Sequence, residues 1–206
     1  MRTAPPPSGL YALKPWYSAR LAVVTRWAVT HRISPDWFTG AGIGAGAGAG
    51  LSVALGCWPA AALLLAARLA GANLDGAVAR ARGVSRPWGF VLNEVGDRLS
   101  DLLVFAGLAA LALRTNGAGT TSLVLVAAVA ASLPTFAALA AAGAGASRSN
   151  GGPFGKTERC LAAVIAAAAP GMLGWIAGAV IAGSLLTTGL RLRAAHRELT
   201  SQGGVA

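Results

Sequence analysis

Long uncharged, apolar runs separated by short basic clusters constrain the fold of this chain more than any other feature. The run 37–55 contains no charged residue, and its length matches the roughly 20 residues that a helix needs to cross a bilayer. Hydrophobic residues make up 55% of the 206 residues and charged residues only 12%, against about 25% charged residues in soluble domains. We therefore predict an all-α integral membrane protein.

The apolar runs and the turn signals between them predict six transmembrane helices in one membrane domain, 36–190. The expected spans are 37–55, 58–79, 89–113, 122–142, 160–177 and 179–190. Pro170 and Gly171 indicate a tight turn between the last two, and a single bent helix is the alternative. Residues 1–35 are expected to form a disordered start and an interfacial amphipathic helix, because arginines alternate with apolar residues there. Residues 191–206 are expected to form a cytoplasmic tail.

The basic residues are distributed unevenly between the two sides of this topology. Six spans place both termini on the same side of the membrane. On the other side, Arg114 is the single basic residue in the short loops. The positive-inside rule then predicts a multi-pass protein of the plasma membrane with both termini in the cytoplasm. The net charge of +10 does not follow one polar face, so no nucleic-acid partner is expected.

Acidic residues are concentrated in the predicted membrane-spanning segments, where ionisable groups are rare. Four of the seven lie in or beside the second and third predicted spans: Asp75, Glu94, Asp97 and Asp101. An ionisable group in hydrocarbon costs about 2.5–3.5 kcal/mol on insertion scales, so a functional role is the default hypothesis. Asn93, Asp97 and Asp101 are four apart and share one helix face. A divalent ion, Mg²⁺ or Mn²⁺, would neutralise their charge. The alternative is a structural network of ion pairs with three arginines: Arg68, Arg80 and Arg98.

The segment 73–101 reads NLDGAVARARGVSRPWGFVLNEVGDRLSD and resembles the signature DxxDGxxARx8GxxxDxxxD of the CDP-alcohol phosphatidyltransferases. Six residues fall on matching positions: Asp75, Gly76, Ala79, Arg80, Gly89 and Asp97. Ala72 and Asn93 stand where the signature has its first and third aspartates. The stretches LNEVGDRLSDLLVF and ASRSNGGPFGKTERC are similar to the phosphatidylinositol-phosphate synthase branch of that family.

The resemblance implies an enzyme that transfers a phosphatidyl group from CDP-diacylglycerol or a similar CDP-lipid to a small alcohol or alcohol phosphate, with release of CMP. Family members bind two divalent ions, Mg²⁺ or Mn²⁺, and are homodimers in membrane lipid. The expected metal ligands are Asp75, Asn93, Asp97 and Asp101, and Asp97 is also the expected general base. The nucleotide would contact Gly76, Ala79, Arg80 and Gly89. An acceptor phosphate would bind Arg148, Lys156 and Arg159.

The two departures from the signature leave a second hypothesis open. A chain without the aspartates at positions 72 and 93 would keep the fold but not catalyse the transfer. It would bind a CDP-lipid or partner an active homologue. A third hypothesis is a small ion or proton transporter that uses the intramembrane carboxylates. Proton flux in liposomes would distinguish the transporter from the other two.

Overall fold

A computed structural model describes residues 14–203, and these form helices and short connections without a strand. The helices are α1 (Lys14–Thr30), α2 (Pro35–Ala54), α3 (Trp58–Ala81), α4 (Pro87–Thr115), α5 (Ala118–Gly143), α6 (Lys156–Ala168) and α7 (Leu173–Gly203), with one 3₁₀ turn, Pro170–Met172, before α7. The expected disordered start, 1–7, falls within residues 1–13, and these and the last residues of the tail, 204–206, lie outside the described residues.

Proline and glycine set the boundaries of the helices that carry the signature. A proline stands in the first turn of α2, α3 and α4, where its missing N–H has no helical partner to lose. Gly56 and Gly83 follow α2 and α3 with φ of 71° and 65°, a left-handed conformation that side chains rarely adopt. The chain therefore reverses direction sharply between α2 and α3 and between α3 and α4.

Within residues 14–203, three helices are long and apolar enough to cross a membrane: Trp58–Ala81, Ala118–Gly143 and Pro170–Gln202. The prediction of an all-helical membrane protein is thus confirmed, whereas the count of six spans stays a prediction. The expected span 160–177 is wrong, because α6 ends at Ala168 and Pro170, which lacks an N–H, begins a separate turn. The expected span 179–190 lies inside α7, which continues to Gly203, so the described part of the tail is helical.

Helix α1 exists, but in its part 19–30 basic and apolar side chains share the exposed surface. Arg20 and Arg26 are exposed together with Val23 and Trp27, while Ala28 packs against apolar residues of α2 and α3. The structure does not support the amphipathic character that the arginine spacing indicated. The position of α1 at a membrane surface stays a prediction.

Helix α2 brings α3 and α4 together through close contacts between small residues. A Cβ at Gly46 would lie 2.6 Å from Cβ of Ser100 in α4, and a Cβ at Gly71 in α3 would lie 2.8 Å from the carbonyl oxygen of Phe38. Glycines let membrane helices approach at backbone distance. The Gly-rich run of α2 is therefore a packing surface that fixes α3 against α4, the two helices that carry the signature.

Candidate active site

A cavity of about 800 Å³ lies between the end of α3, the start of α4 and the connection from α1 to α2. Five of the six signature matches line it: Asp75, Gly76, Ala79, Arg80 and Gly89. Its volume falls in the range of about 300–1,000 Å³ that is usual for small-molecule sites. Five arginines and three acidic residues border it, so its walls carry an excess of positive charge.

A second, much smaller cavity of about 10 Å³ joins the signature positions of α3 to those of α4. Ala72, Asp75, Asn93 and Asp97 all line it, and Asp75 and Asn93 also line the larger cavity. The four positions at which the family signature has aspartates therefore converge in space. The size of this cavity is that of about one water molecule.

Asp75 is buried, with 7% of its surface exposed, and it is held by neutral donors. The hydroxyl of Thr39 donates to its Oδ2 at 3.0 Å, and the side-chain amide of Asn93 donates to the same oxygen. The backbone N–H of Gly76 lies 2.5 Å from Oδ1. Asp75 makes no ion pair with a side chain in 19–202, a range that includes Arg80, so the suggested structural pairing with Arg80 does not occur.

Asp97 is bound by a lysine from a distant part of the sequence. Nζ of Lys156, the first residue of α6, donates to both carboxylate oxygens at 2.6 Å. Nη2 of Arg68 donates to the backbone carbonyl of Asp97 at 3.0 Å and lies 3.9 Å from its Oδ1. The expected general base thus lines the small cavity, and a cation binds its carboxylate.

Asp101 is the centre of an ion cluster. Arg68, Arg98 and Arg159 approach its two oxygens at 2.6, 2.6 and 2.8 Å, and only 6% of its surface is exposed. A carboxylate that already binds three guanidinium groups has no free oxygen for a metal ion. For Asp101 the geometry supports the structural ion-pair interpretation over the expected role as a metal ligand.

The three basic residues expected to bind an acceptor phosphate do not form one site. Arg148 lines the larger cavity, pairs with Glu94 at 2.6 Å and stacks over the ring of Phe90 with its centroid 5.0 Å away. Lys156 binds Asp97 instead. Arg159 is buried and binds Asp101. Of the three, only Arg148 lines the larger cavity.

Arg80 is exposed and makes no ion pair within the described part of the chain, so it is available to an anion. It lies one turn after Gly76, where a Cβ would come within 3.0 Å of Nη1 of Arg80. The missing side chain at position 76 therefore lets the guanidinium fold back along α3 toward Asp75. At Gly89 a Cβ would meet only Cγ of Arg86 at 3.6 Å, an ordinary contact.

Several residues of the cavity were not predicted from the sequence. Arg86 pairs with Asp36 across its rim, and Nη1 of Arg82 donates to the carbonyl of Ile33 at 2.7 Å. These contacts join residues about 50 positions apart, which no local pattern reveals. Thr39 gave a weak signal, as a polar residue in an otherwise apolar run.

The donor set does not fit the four-aspartate, two-ion arrangement that the resemblance implies. Ala72 offers no oxygen, and the amide of Asn93 donates to Asp75. Both oxygens of Asp97 are bound by Lys156. Within 14–203 no three His, Cys, Asp or Glu residues form a group that could hold a metal ion. Asp75 alone retains a carboxylate that no cationic side chain binds.

The fold has solved counterparts among phospholipid synthases. Phosphatidylinositol phosphate synthase (PgsA1) of Mycobacterium tuberculosis with CDP-DAG bound matches with a TM-score of 0.72 at 25% identity, over 84% of this chain and 91% of that chain. The same synthase in complex with manganese and citrate matches with a TM-score of 0.71 at 24% identity, over 84% and 87%. Fold and site therefore define an all-helical membrane protein whose structural neighbours are CDP-alcohol phosphatidyltransferases.

The sequence comparison supplies the particular family. The chain is 33% identical over 156 residues to inner membrane protein YnbA of Escherichia coli K12, which covers 74% of this chain and 75% of YnbA. This protein belongs to the family of YnbA. No protein-family model matches the chain. The apolar helices and the inner-membrane relative together identify an integral membrane protein.

Proposed function

We propose that this protein transfers a phosphatidyl group from a CDP-lipid such as CDP-diacylglycerol to an alcohol, with release of CMP, in phospholipid biosynthesis. One observation carries the proposal: five of the six signature residues line a single cavity large enough for a nucleotide headgroup. The likeness to a phosphatidylinositol phosphate synthase with CDP-DAG bound adds support for the reaction class. The other attributes expected of the family, a homodimer and a multi-pass plasma-membrane topology with cytoplasmic termini, are part of this proposal.

The cytidine diphosphate would lie along the end of α3. Arg80 is the proposed clamp for the diphosphate, because a guanidinium presents a planar fork of donors that suits phosphate oxygens. Gly76, Ala79 and Gly89 have small or absent side chains and line the same cavity, so they leave room for the nucleotide to approach the backbone. Arg148 is the proposed contact for a phosphate on the acceptor alcohol.

Asp97 is the proposed general base. Its carboxylate takes the proton of the acceptor hydroxyl as the hydroxyl oxygen attacks the phosphorus that bears the diacylglycerol. A new P–O bond to the acceptor forms, the P–O bond within the diphosphate breaks, and CMP leaves with the electron pair. Positively charged side chains around the diphosphate stabilise the charge that develops on the phosphoryl oxygens and the leaving group. No step is assigned to Mg²⁺ or Mn²⁺, because the expected ligands Asp75, Asn93, Asp97 and Asp101 do not form a set that fits the two ions.

The test is CMP release from CDP-diacylglycerol by the purified protein in lipid nanodiscs. A panel of acceptors, including glycerol phosphate and inositol phosphate, would be assayed with and without divalent metal. We expect turnover with at least one acceptor and its loss in Asp97→Asn. Arg114→Gln, a charge removal at the far end of α4, is the control and should keep wild-type turnover. Absence of CMP release with every acceptor would refute the transferase proposal.

A second candidate function is binding of a CDP-lipid without turnover, and two observations favour it. Ala72 and Asn93 remove two carboxylates of the signature, and Lys156 binds both oxygens of the proposed base. The double variant Ala72→Asp with Asn93→Asp distinguishes the two functions. CMP release that appears only in this variant identifies a protein that has lost the reaction and kept the site.

A further inference from the structure

Charge balance at the signature residues is unusual for a site that is expected to recruit divalent cations. Five cationic side chains form ion pairs with only three carboxylates, those of Glu94, Asp97 and Asp101. At the larger cavity, Arg80 adds a sixth positive charge, which has no ion pair to a side chain in 19–202, and Asp75 adds a fourth carboxylate. Charges removed from water need opposite charge nearby. The surroundings therefore lack negative charge, and a divalent cation would increase the imbalance.

Lys156 binds one of the carboxylates that the resemblance assigns to metal binding. Its ammonium contacts both oxygens of Asp97 at 2.6 Å, next to the small cavity that the four signature positions line. Lys156 is the first residue of α6 and follows a Gly-rich connection. This geometry places one positive charge, supplied by the chain itself, on the Asp97 carboxylate.

The remaining signature carboxylate is also satisfied without metal. Asp75 accepts from Thr39 and Asn93 through one oxygen and from the backbone N–H of Gly76 through the other. Asparagine at position 93 lets two neighbouring side chains hydrogen-bond where two aspartates would repel each other. The substitution at position 93 and the lysine at position 156 thus act in the same direction, because each removes the need for a metal ion.

From this disagreement between the residues and the expected ions, we infer that the site binds the diphosphate of a CDP-lipid without a divalent metal ion: Lys156 neutralises the Asp97 carboxylate, and Arg80, which lines the larger cavity, supplies positive charge to the diphosphate. A diphosphate diester carries two negative charges, which offset the excess of positive charge on the site. The inference rests on the proposed function only in that the ligand is a CDP-lipid. It separates this chain from a synthase whose solved structure is in complex with manganese.

The experiment measures binding of CDP-diacylglycerol and of Mn²⁺ to the full chain in nanodiscs. Lipid binding is followed by calorimetry in EDTA and in MnCl₂, and bound Mn²⁺ by electron paramagnetic resonance. For the wild type we expect equal CDP-diacylglycerol affinity in both buffers within about twofold and no bound Mn²⁺. Lys156→Gln should weaken lipid binding in EDTA by about tenfold or more, the scale of one charged hydrogen bond, and Lys156→Arg should restore most of it.

A second variant, which keeps Lys156, tests the inference even where Lys156→Gln does not fold. Ala72→Asp with Asn93→Asp keeps Lys156 and restores the signature carboxylates, so it should gain bound Mn²⁺ that the wild type lacks. Stoichiometric Mn²⁺ on the wild type, or CDP-diacylglycerol binding that disappears in EDTA, would overturn the inference and leave the transferase proposal standing. Failure of CDP-diacylglycerol to bind in either buffer would instead overturn the proposed function, and the inference with it.

Discussion

Replacing Asp101 by Asn tests whether this carboxylate is a structural counter-ion or a spare metal ligand. The substitution keeps the shape of the side chain and removes its charge. Arg68 and Arg159, which are 2% and 7% exposed, would then lose the carboxylate that they bind at 2.6 and 2.8 Å. Removing one partner of a buried ion pair typically costs about 3–5 kcal/mol, and Asp101 serves two buried partners, so we expect a loss of at least about 3 kcal/mol.

The assay is unfolding in mixed micelles by titration with SDS, followed by the fluorescence of the six tryptophans. The control is Arg86→Gln, which breaks the pair with Asp36 between side chains that are 53% and 43% exposed. Exposed pairs contribute about 0–1 kcal/mol, so the control should unfold close to the wild type. A carboxylate kept for a metal ion would repel its acidic neighbours when no ion is bound. Wild-type or higher stability of Asp101→Asn without metal would therefore refute the ion-cluster account.

Three further predictions follow from the same contacts. Gly50→Ala places a Cβ against the backbone of α4 and should lower the free energy of unfolding by about 1–3 kcal/mol. Gly44→Ala, on the open side of α2, should leave the free energy of unfolding unchanged. Equal unfolding curves for the two variants would contradict the packing role of α2. Arg80→Gln should weaken CDP-diacylglycerol binding by about 10–100-fold, the range for a charge-assisted hydrogen bond, and an unchanged calorimetric affinity would exclude the clamp. Arg148→Gln should raise KM for a phosphorylated acceptor and leave KM for the CDP-lipid within about twofold, and the opposite pattern in steady-state kinetics would contradict its assignment.

The part of the site that lies within α3 and α4 was predictable from the sequence. Asp75, Gly76, Ala79 and Arg80 fall within two turns of one helix, and the fixed spacing to Gly89 places them opposite the start of α4. Helical periodicity alone therefore brings these residues to one cavity.

The partners of the acidic residues were not predictable, because they come from distant segments. Lys156 is 59 positions from Asp97 and Arg159 is 58 positions from Asp101. The spacing of Asp97 and Asp101 left metal binding and ion pairing equally open, and only the position of α6 separates the two roles. The end of α6 was misplaced for a related reason: apolar residues continue past Pro170, while the missing N–H of that proline ends the helix before it.

The most direct test of the central claim is a structure of the protein in nanodiscs with CDP-diacylglycerol. The account predicts that the diphosphate lies in the cavity beside Gly76, within hydrogen-bond distance of Arg80 and close to Lys156, with the cytidine between α3 and α4. Density for the cytidine diphosphate anywhere outside this cavity, or coordinated by metal ions at Asp75 and Asp97 with Lys156 turned away, would contradict it.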